Sequence, residues 1–427
     1  MNILHISSTD LRGAGSCVLA LNTLLNAKGH HSRLVVVFKT KSDSAVTGFF
    51  RSINPHLKHW IDEAILQFGK IQSYLAVGKT DPDYYFYNLD ERKSNFSAKA
   101  ILKKAGFKPD VIFVHWVSRF VNTAEIRELH RLTGARIFWV MVDNAPITGG
   151  CHYPWKCRGY ESDCSDCPAL LSGSKKHIAQ RNFALKKANI PNGLHILTLS
   201  SMDKFRAEKS CLYASHAVDV IYHPINEQIF HSVSSSGARR YFNLPEGKKI
   251  IFFAATDLNE RRKGYVELQE ALKILAQKTS DRGENSNDCM FIMAGKTLPA
   301  TQKNSAVPTK YLGYLSEQEM VLAFSAATLF VCPTLEDSGP GILGQAMLCG
   351  TPTVAFASGA AMDMIQTGNT GYLARLGDSA DLAEGIKYVS GLPAEKYVAM
   401  KTNCRETGME TCSFQAVGKR IEKLLAI

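Results

Sequence analysis

Short runs rich in β-branched and aromatic residues alternate with stretches of helical period along nearly the whole of this 427-residue chain. A parallel connection needs a crossover of helix length, and a strand covered on both faces reads as a short continuous apolar run. The alternation therefore points to parallel sheets clothed by helices on each side. A first series occupies residues 2–7, 33–38, 110–116, 136–142, 195–200 and 218–223. A second occupies 249–256, 290–295, 311–315, 329–334, 351–356 and 371–376. Two Rossmann-like halves follow, as expected of a chain two to three times the usual domain size. His223-Pro224-Ile225-Asn226 and the polar stretch 232–240 interrupt both periods and read as the connector. The expected domains are 1–222, with a Cys-rich insertion at 151–167, a linker at 223–245, and 246–427, with the last helix returning to the first domain. Ligands of such sheets bind beyond the carboxyl ends of the strands, so a cleft between two facing domains is the expected site.

Charge narrows the partners. Residues 1–200 hold 26 Lys+Arg against 15 Asp+Glu, and the remainder 24 against 24, so the whole excess of +11 lies in the first half. Such a face suits an anionic surface, phospholipid headgroups or a lipid-linked phosphate above all, although a solvated basic face with no partner has the same composition. Nothing resembles a nucleic-acid-binding module, so no nucleic-acid partner is expected. No apolar run approaches the ~18 residues of a bilayer span, and the start lacks a secretion signal, so a cytoplasmic protein is expected, peripheral on the inner membrane face at most. The stretch 55–74 spaces Leu57, Ile61, Ile65, Phe68 and Ile71 at helical period and would either lie on a membrane or pack on its own domain.

Three segments carry chemistry. Asp10-Leu11-Arg12-Gly13-Ala14-Gly15-Ser16 follows the first strand; its glycines would expose amides at a helix start, a seat for phosphate or a sugar hydroxyl, or simply make a turn. Glu260-Arg261-Arg262-Lys263-Gly264 follows the first strand of the second series, where Arg262 and Lys263 suit a diphosphate unless the run is merely solvated. Residues 334–352 follow a strand and open a helix, with Gly339, Pro340 and Gly341 at the start favouring a second phosphate contact; Asp337 and Gln345 bracket that start.

With these segments in place the chain resembles the retaining glycosyltransferases of family 4, which have the GT-B fold of two facing Rossmann-like domains. The likeness rests on the glycine segment, Arg262-Lys263-Gly264, the stretch ending Cys349-Gly350-Thr351-Pro352, Thr370-Gly371-Tyr372-Leu373 and the pair His115-Trp116. The segment 143–170, beginning Asp143-Asn144-Ala145-Pro146-Ile147-Thr148-Gly149-Gly150-Cys151-His152-Tyr153, is similar to transferases of colanic-acid and exopolysaccharide synthesis. The resemblance implies a hexosyl donor, a UDP- or GDP-sugar, with Arg262 and Lys263 on its diphosphate, and a growing lipid-linked saccharide as acceptor. It implies that Asp337, with Glu336 beside it, meets the donor sugar and Gln345 the ribose, Gly13, Gly15, Gly339 and Gly341 lining the ligand. His115 and Asp143 would face the acceptor or the departing phosphate, with no catalytic metal. Gln345 stands where the family usually has glutamate, and Val142 where relatives often have histidine. Those departures leave open a silent sugar-nucleotide-binding protein, and a sugar-nucleotide epimerase is a third reading.

Eleven cysteines in a cytoplasmic chain do not suggest a disulfide framework. Four are crowded: Cys151, Cys157, Cys164 and Cys167, closing on Cys-Ser-Asp-Cys, in a loop with little apolar content of its own. A tetrahedral structural zinc, with His152 as a spare ligand, would order such a loop; reduced thiols, disulfides and an iron–sulfur centre are the alternatives.

Overall fold

A computed structural model describes residues 1–51, 74–281, 288–296 and 306–426. The chain divides into two compact units, Met1–Val220 and Ile221–Ile427. The first is built on a seven-stranded sheet in the order β3-β2-β1-β4-β5-β6-β7, with β1 Asn2–Thr9, β2 His31–Lys39, β3 Val46–Arg51, β4 Val111–Val114, β5 Arg136–Met141, β6 His195–Thr198 and β7 Val218–Val220. The second has six strands in the order β10-β9-β8-β11-β12-β13: β8 Lys249–Ala254, β9 Cys289–Ala294, β10 Thr309–Tyr311, β11 Leu329–Cys332, β12 Thr353–Phe356 and β13 Gly371–Ala374. Every pairing in both sheets is parallel.

Central strands are buried on both faces. In β1, Ile3, Leu4, His5, Ile6 and Ser7 are all inaccessible, so both faces of the strand are covered and even the polar His5 and Ser7 lie inside. In the first unit Leu4, Ile6, Ile112, Val114, Ile137, Trp139 and Ile196 share one core with Ile101, Ile126 and Leu129 of the helices Ala98–Ala105 and Thr123–Thr133.

One strand, β3, had no counterpart in the sequence reading. It is an edge strand paired only with β2, and Gly48 dilutes its apolar run. A Cβ at Gly48 would lie 2.7 Å from the Lys39 Cβ, so glycine there permits the two strands to close up. Another, expected at 311–315, lies instead at Thr309–Tyr311 and stops before Gly313, whose φ of 76° turns the chain out of extended conformation.

The polar stretch 232–240 is not an open tether. Ser234 accepts a hydrogen bond from the Gly237 N–H and starts the helix Ser235–Tyr241, since serine favours caps as well as loops. Upstream, Ile225 N–H donates to Cys412 O at 2.8 Å, and the Glu227 carboxylate accepts from Phe414 N–H at 2.8 Å, holding the start of the last helix, Phe414–Leu425, within the second unit. The amphipathic stretch 55–74 lies, but for Tyr74, outside the described residues. Among the described residues no helix is long and apolar enough to cross a membrane.

Candidate functional site

In the second unit the chemistry gathers at the carboxyl ends of the adjacent strands β8 and β11, the edge at which open α/β sheets bind ligands. β8 leads into a short turn, Arg261–Lys263, closed by Gly264 with φ 69°. Glycine is required there twice over: the conformation is left-handed, and an added Cβ would come within 1.7 Å of Pro333 O. The close approach lets Leu335 N–H donate to Arg262 O at 2.8 Å, tying the basic turn to the loop after β11.

Arg262 Nη1 and Lys263 Nζ both reach Asp337 Oδ2 at 2.5 Å, and Arg262 Nη2 reaches Glu260 Oε2 at 2.7 Å. The three side chains meeting at Asp337 are largely buried, at 12%, 17% and 12% exposure for Arg262, Lys263 and Asp337. Burial alone would raise the Asp337 carboxyl; Lys263 and Arg262 outweigh it and hold the group well below the usual carboxylate range. The pair of cations is therefore already engaged by an internal anion. The sequence placed these cations on a diphosphate and Asp337 on a sugar; here they pair with one another.

The helix Gly341–Leu348 opens beside this cluster with no side-chain cap, and a Cβ at Gly341 would sit 3.0–3.1 Å from the ring of His223. Burial pushes His223 down to about 4, against an upward pull from Asp337, so near neutrality an uncharged imidazole covers the helix start. His223 went unrecognised in the sequence because it belongs to the connector, where only Pro224 gave a signal. Glu336 and Gly339 are buried in the loop, and Gln345 lies part-exposed one turn into the helix.

The glycine segment of the first unit differs from expectation. The helix starts at Arg12, so Gly13 and Gly15 lie in its first turn rather than in a loop ahead of it. A Cβ at Gly15 would lie 2.3 Å from the Asp10 carbonyl carbon, which gives this glycine a packing reason; Gly13 faces open space. Asp10 ties β1 to β2 by accepting from Thr40 N–H at 2.8 Å and Thr40 Oγ1 at 2.6 Å.

His115 and Asp143, expected to face the acceptor or the departing phosphate, are each engaged by other residues of the first unit. His115 is 1% exposed, with its Nε2 3.0 Å from His5 Nδ1, and the His5 ring stacks on Phe113 at 5.0 Å. Burial pushes His5 down to about 3, and burial together with His5 holds His115 well below the usual range, so the pair is neutral and packed into the sheet. Asp143 instead meets His152: Oδ2 lies 2.7 Å from His152 Nδ1 and Oδ1 accepts from Ala145 N–H at 2.9 Å. His152 Nε2 in turn lies 3.0 Å from Ser118 Oγ. Nothing in the spacing linked Ser118 to His152, and the neighbouring thiols drew His152 toward a metal reading.

The four crowded cysteines line one small pocket with Tyr84 and Phe86. They are free thiols, and among the described residues no group of three His, Cys, Asp or Glu side chains could hold a metal ion. The zinc reading thus finds no support among the described residues. The loop does not lack apolar support: Cys151, Cys164 and Cys167 belong to the core of the unit with Phe86, Tyr160, Leu170 and Phe183. Burial pushes the Cys164 thiol up to about 12 and Cys151 well above its ordinary value, with the neighbouring thiols adding to the shift.

Residues 237–407 match the family described as glycosyl transferases group 1. Curated relatives include D-inositol 3-phosphate glycosyltransferase of Mycolicibacterium smegmatis, 26% identical over 178 residues and covering 40% of this chain and 39% of that protein. They also include 2-deoxystreptamine glucosyltransferase of Streptomyces kanamyceticus, 26% identical over 226 residues, covering 51% and 55%. The chain thus spans about half the length, or less, of the curated relatives it matches. Solved structures similar over the whole chain include sucrose-phosphate synthase of Thermosynechococcus elongatus, with 16% identity, TM-score 0.65, and coverage of 100% and 98%. Anabaena HepE in complex with UDP-glucose has 14% identity, TM-score 0.62, and coverage of 100% and 99%. These likenesses bear on the fold, and the expected class, two Rossmann-like α/β domains of the GT-B type, is borne out.

Proposed function

We propose that the protein transfers a hexosyl group from a nucleotide-sugar donor, a UDP- or GDP-sugar, to a saccharide acceptor, with retention of anomeric configuration. The observation that carries this reading is the Arg262–Asp337–Lys263 cluster at the ends of β8 and β11, inside the segment that matches glycosyl transferases group 1. In the donor complex the diphosphate takes over the two cations from Asp337, aided by the uncapped start of the helix Gly341–Leu348. The displaced carboxylate is then available to sugar hydroxyls, and Gln345 to the ribose. This charge neutralisation eases departure of the nucleotide without recourse to a side-chain nucleophile. The HepE complex with UDP-glucose supports the donor class. The acceptor is read as a growing lipid-linked polysaccharide at the inner membrane face, the support being the resemblance and the basic excess of residues 1–200.

A second reading, a sugar-nucleotide-binding protein without turnover, is favoured by the same Asp337 lock and by Gln345. Release of free nucleotide from a panel of UDP- and GDP-sugars, with and without membrane extract, separates the two. Acceptor-dependent release from one donor supports transfer. Binding without release from any donor supports the silent protein, and absence of binding overturns both.

A further inference from the structure

His223 stands where the connector enters the second unit. Tyr222 before it has φ 60°, a left-handed turn that bends the chain at this point. The edge of the His223 ring that carries both nitrogens faces the first turn of the helix Gly341–Leu348: Cε1, Nε2 and Nδ1 would lie 3.0, 3.0 and 3.1 Å from a Cβ added at Gly341. The residue is part-exposed, and among the described residues neither nitrogen has a hydrogen-bond partner. A ring edge able to offer two N–H groups thus lies unused at the uncapped helix start, beside the cluster of Arg262, Lys263 and Asp337.

The fixed charges of that cluster cancel: Arg262 and Lys263 stand against Asp337 and Glu260. The helix Gly341–Leu348 adds no ionisable side chain. On the connector, Tyr222 has Arg420 over its ring at 5.3 Å, and Asp363 of the helix Ala361–Met364 acts on Tyr222 rather than on His223. Asp337 is the charge that reaches His223, and its upward pull loses to burial, so the ligand-free ring is neutral near pH 7. The diphosphate of a sugar nucleotide brings two negative charges into these neutral surroundings. Moving Asp337 off the cations rearranges charge without adding a positive one, and the helix start is equivalent to only about half a positive charge. A proton supplies what is missing, and a dianion beside an imidazole favours its charged form.

We infer that His223 is the third cation of the donor site: it takes up a proton as the sugar nucleotide binds and turns an N–H of its ring to the diphosphate. The inference rests on the proposed donor reading. Protonated His223 then joins Arg262, Lys263 and the helix amides, holding the diphosphate from the connector side. Donor binding becomes proton-linked: it is strongest where the bound ring is charged, and it weakens as rising pH removes that proton.

The test titrates the full chain calorimetrically with UDP-glucose, UDP-galactose, GDP-mannose and GDP-fucose between about pH 6 and 8, at each pH in two buffers of different ionisation enthalpy. The difference between buffers counts the protons taken up. Sugar nucleotides are used because a free terminal phosphate, with a pKa of about 6, would itself titrate in this range. For whichever donor binds, the wild type is expected to take up about half a proton or more at the acid end. Its affinity should fall by up to about tenfold per pH unit as pH rises, levelling off where the bound ring is already neutral. His223→Gln should take up no proton, show a flat profile and approach the wild type at the alkaline end, which also shows that the variant is folded. Binding without proton uptake overturns this inference and leaves the donor reading intact. Uptake that persists in His223→Gln overturns it too, placing the proton on a carboxylate such as Asp337 or Glu260. Failure of every sugar nucleotide to bind removes the donor reading, and this inference with it.

Discussion

Asp337→Asn probes the cationic cluster directly. The carboxylate accepts from Arg262 and Lys263 at 2.5 Å each, and all three side chains are largely buried. Neutralising Asp337 takes from two desolvated cations the anion they share, although Arg262 keeps its contact with Glu260, at a cost of about 3–5 kcal/mol to the ligand-free protein. If a nucleotide diphosphate replaces the carboxylate on the same cations, the complex loses far less, about 1 kcal/mol. The thermodynamic cycle then assigns the difference, about 2–4 kcal/mol, to tighter nucleotide binding, so UDP or GDP should bind Asp337→Asn at least about 30-fold more tightly than wild type. Denaturant unfolding with and without nucleotide, together with titration calorimetry, measures both sides of the cycle. A variant that is destabilised yet binds nucleotide no more tightly would show that the diphosphate does not use the cations that Asp337 occupies. A variant of unchanged stability would refute the cost assigned to the first step.

Three further outcomes are expected. Gly264→Ala, which forces a Cβ against Pro333 O in a left-handed conformation, should cost more than about 3 kcal/mol or move the Arg262 turn enough to weaken nucleotide binding severalfold, read by thermal unfolding and calorimetry. Acidification should destabilise the first unit: His5 stays unprotonated to about pH 3 when folded but takes a proton near 6.5 when unfolded, so its contribution is complete above 6.5 and falls as pH drops toward 3. The loss is at most about 5 kcal/mol, and a His5→Asn variant should show a shallower pH slope in urea unfolding. Protein purified without chelators should carry well under one equivalent of zinc, and its melting temperature should be indifferent to EDTA; a fall on chelation would restore the zinc reading of the four thiols.

Architecture was legible because it rests on periodicity. Doubly buried parallel strands such as β4 and β8 announce themselves as apolar runs, whereas the edge strand β3, interrupted by Gly48, has nothing in its pattern to distinguish it from a loop. Arg262, Lys263 and Asp337 were legible as types at strand ends, but their mutual pairing was not, since it depends on how two loops, joined by the Leu335–Arg262 hydrogen bond, approach each other. The same limit explains His115 and His152. Sequence placed a histidine at the end of β4, and only the packing of β1 beside it, bringing His5 within hydrogen-bonding distance, turned that residue inward. The partner of Asp143 came from nine residues further along, through a loop whose shape is set by contacts with Tyr84 and Phe86. Composition understated the support of the cysteine loop, because a loop that looks poor in apolar residues on its own borrows a core from segments remote in sequence.

A crystal structure of the protein with a UDP- or GDP-sugar bound would show whether the second unit grips the donor by its diphosphate. Phosphate oxygens are expected within hydrogen-bonding distance of both Arg262 and Lys263, with the Asp337 carboxylate moved off at least one of them. A ligand bound elsewhere, with both cations still on Asp337, would contradict it.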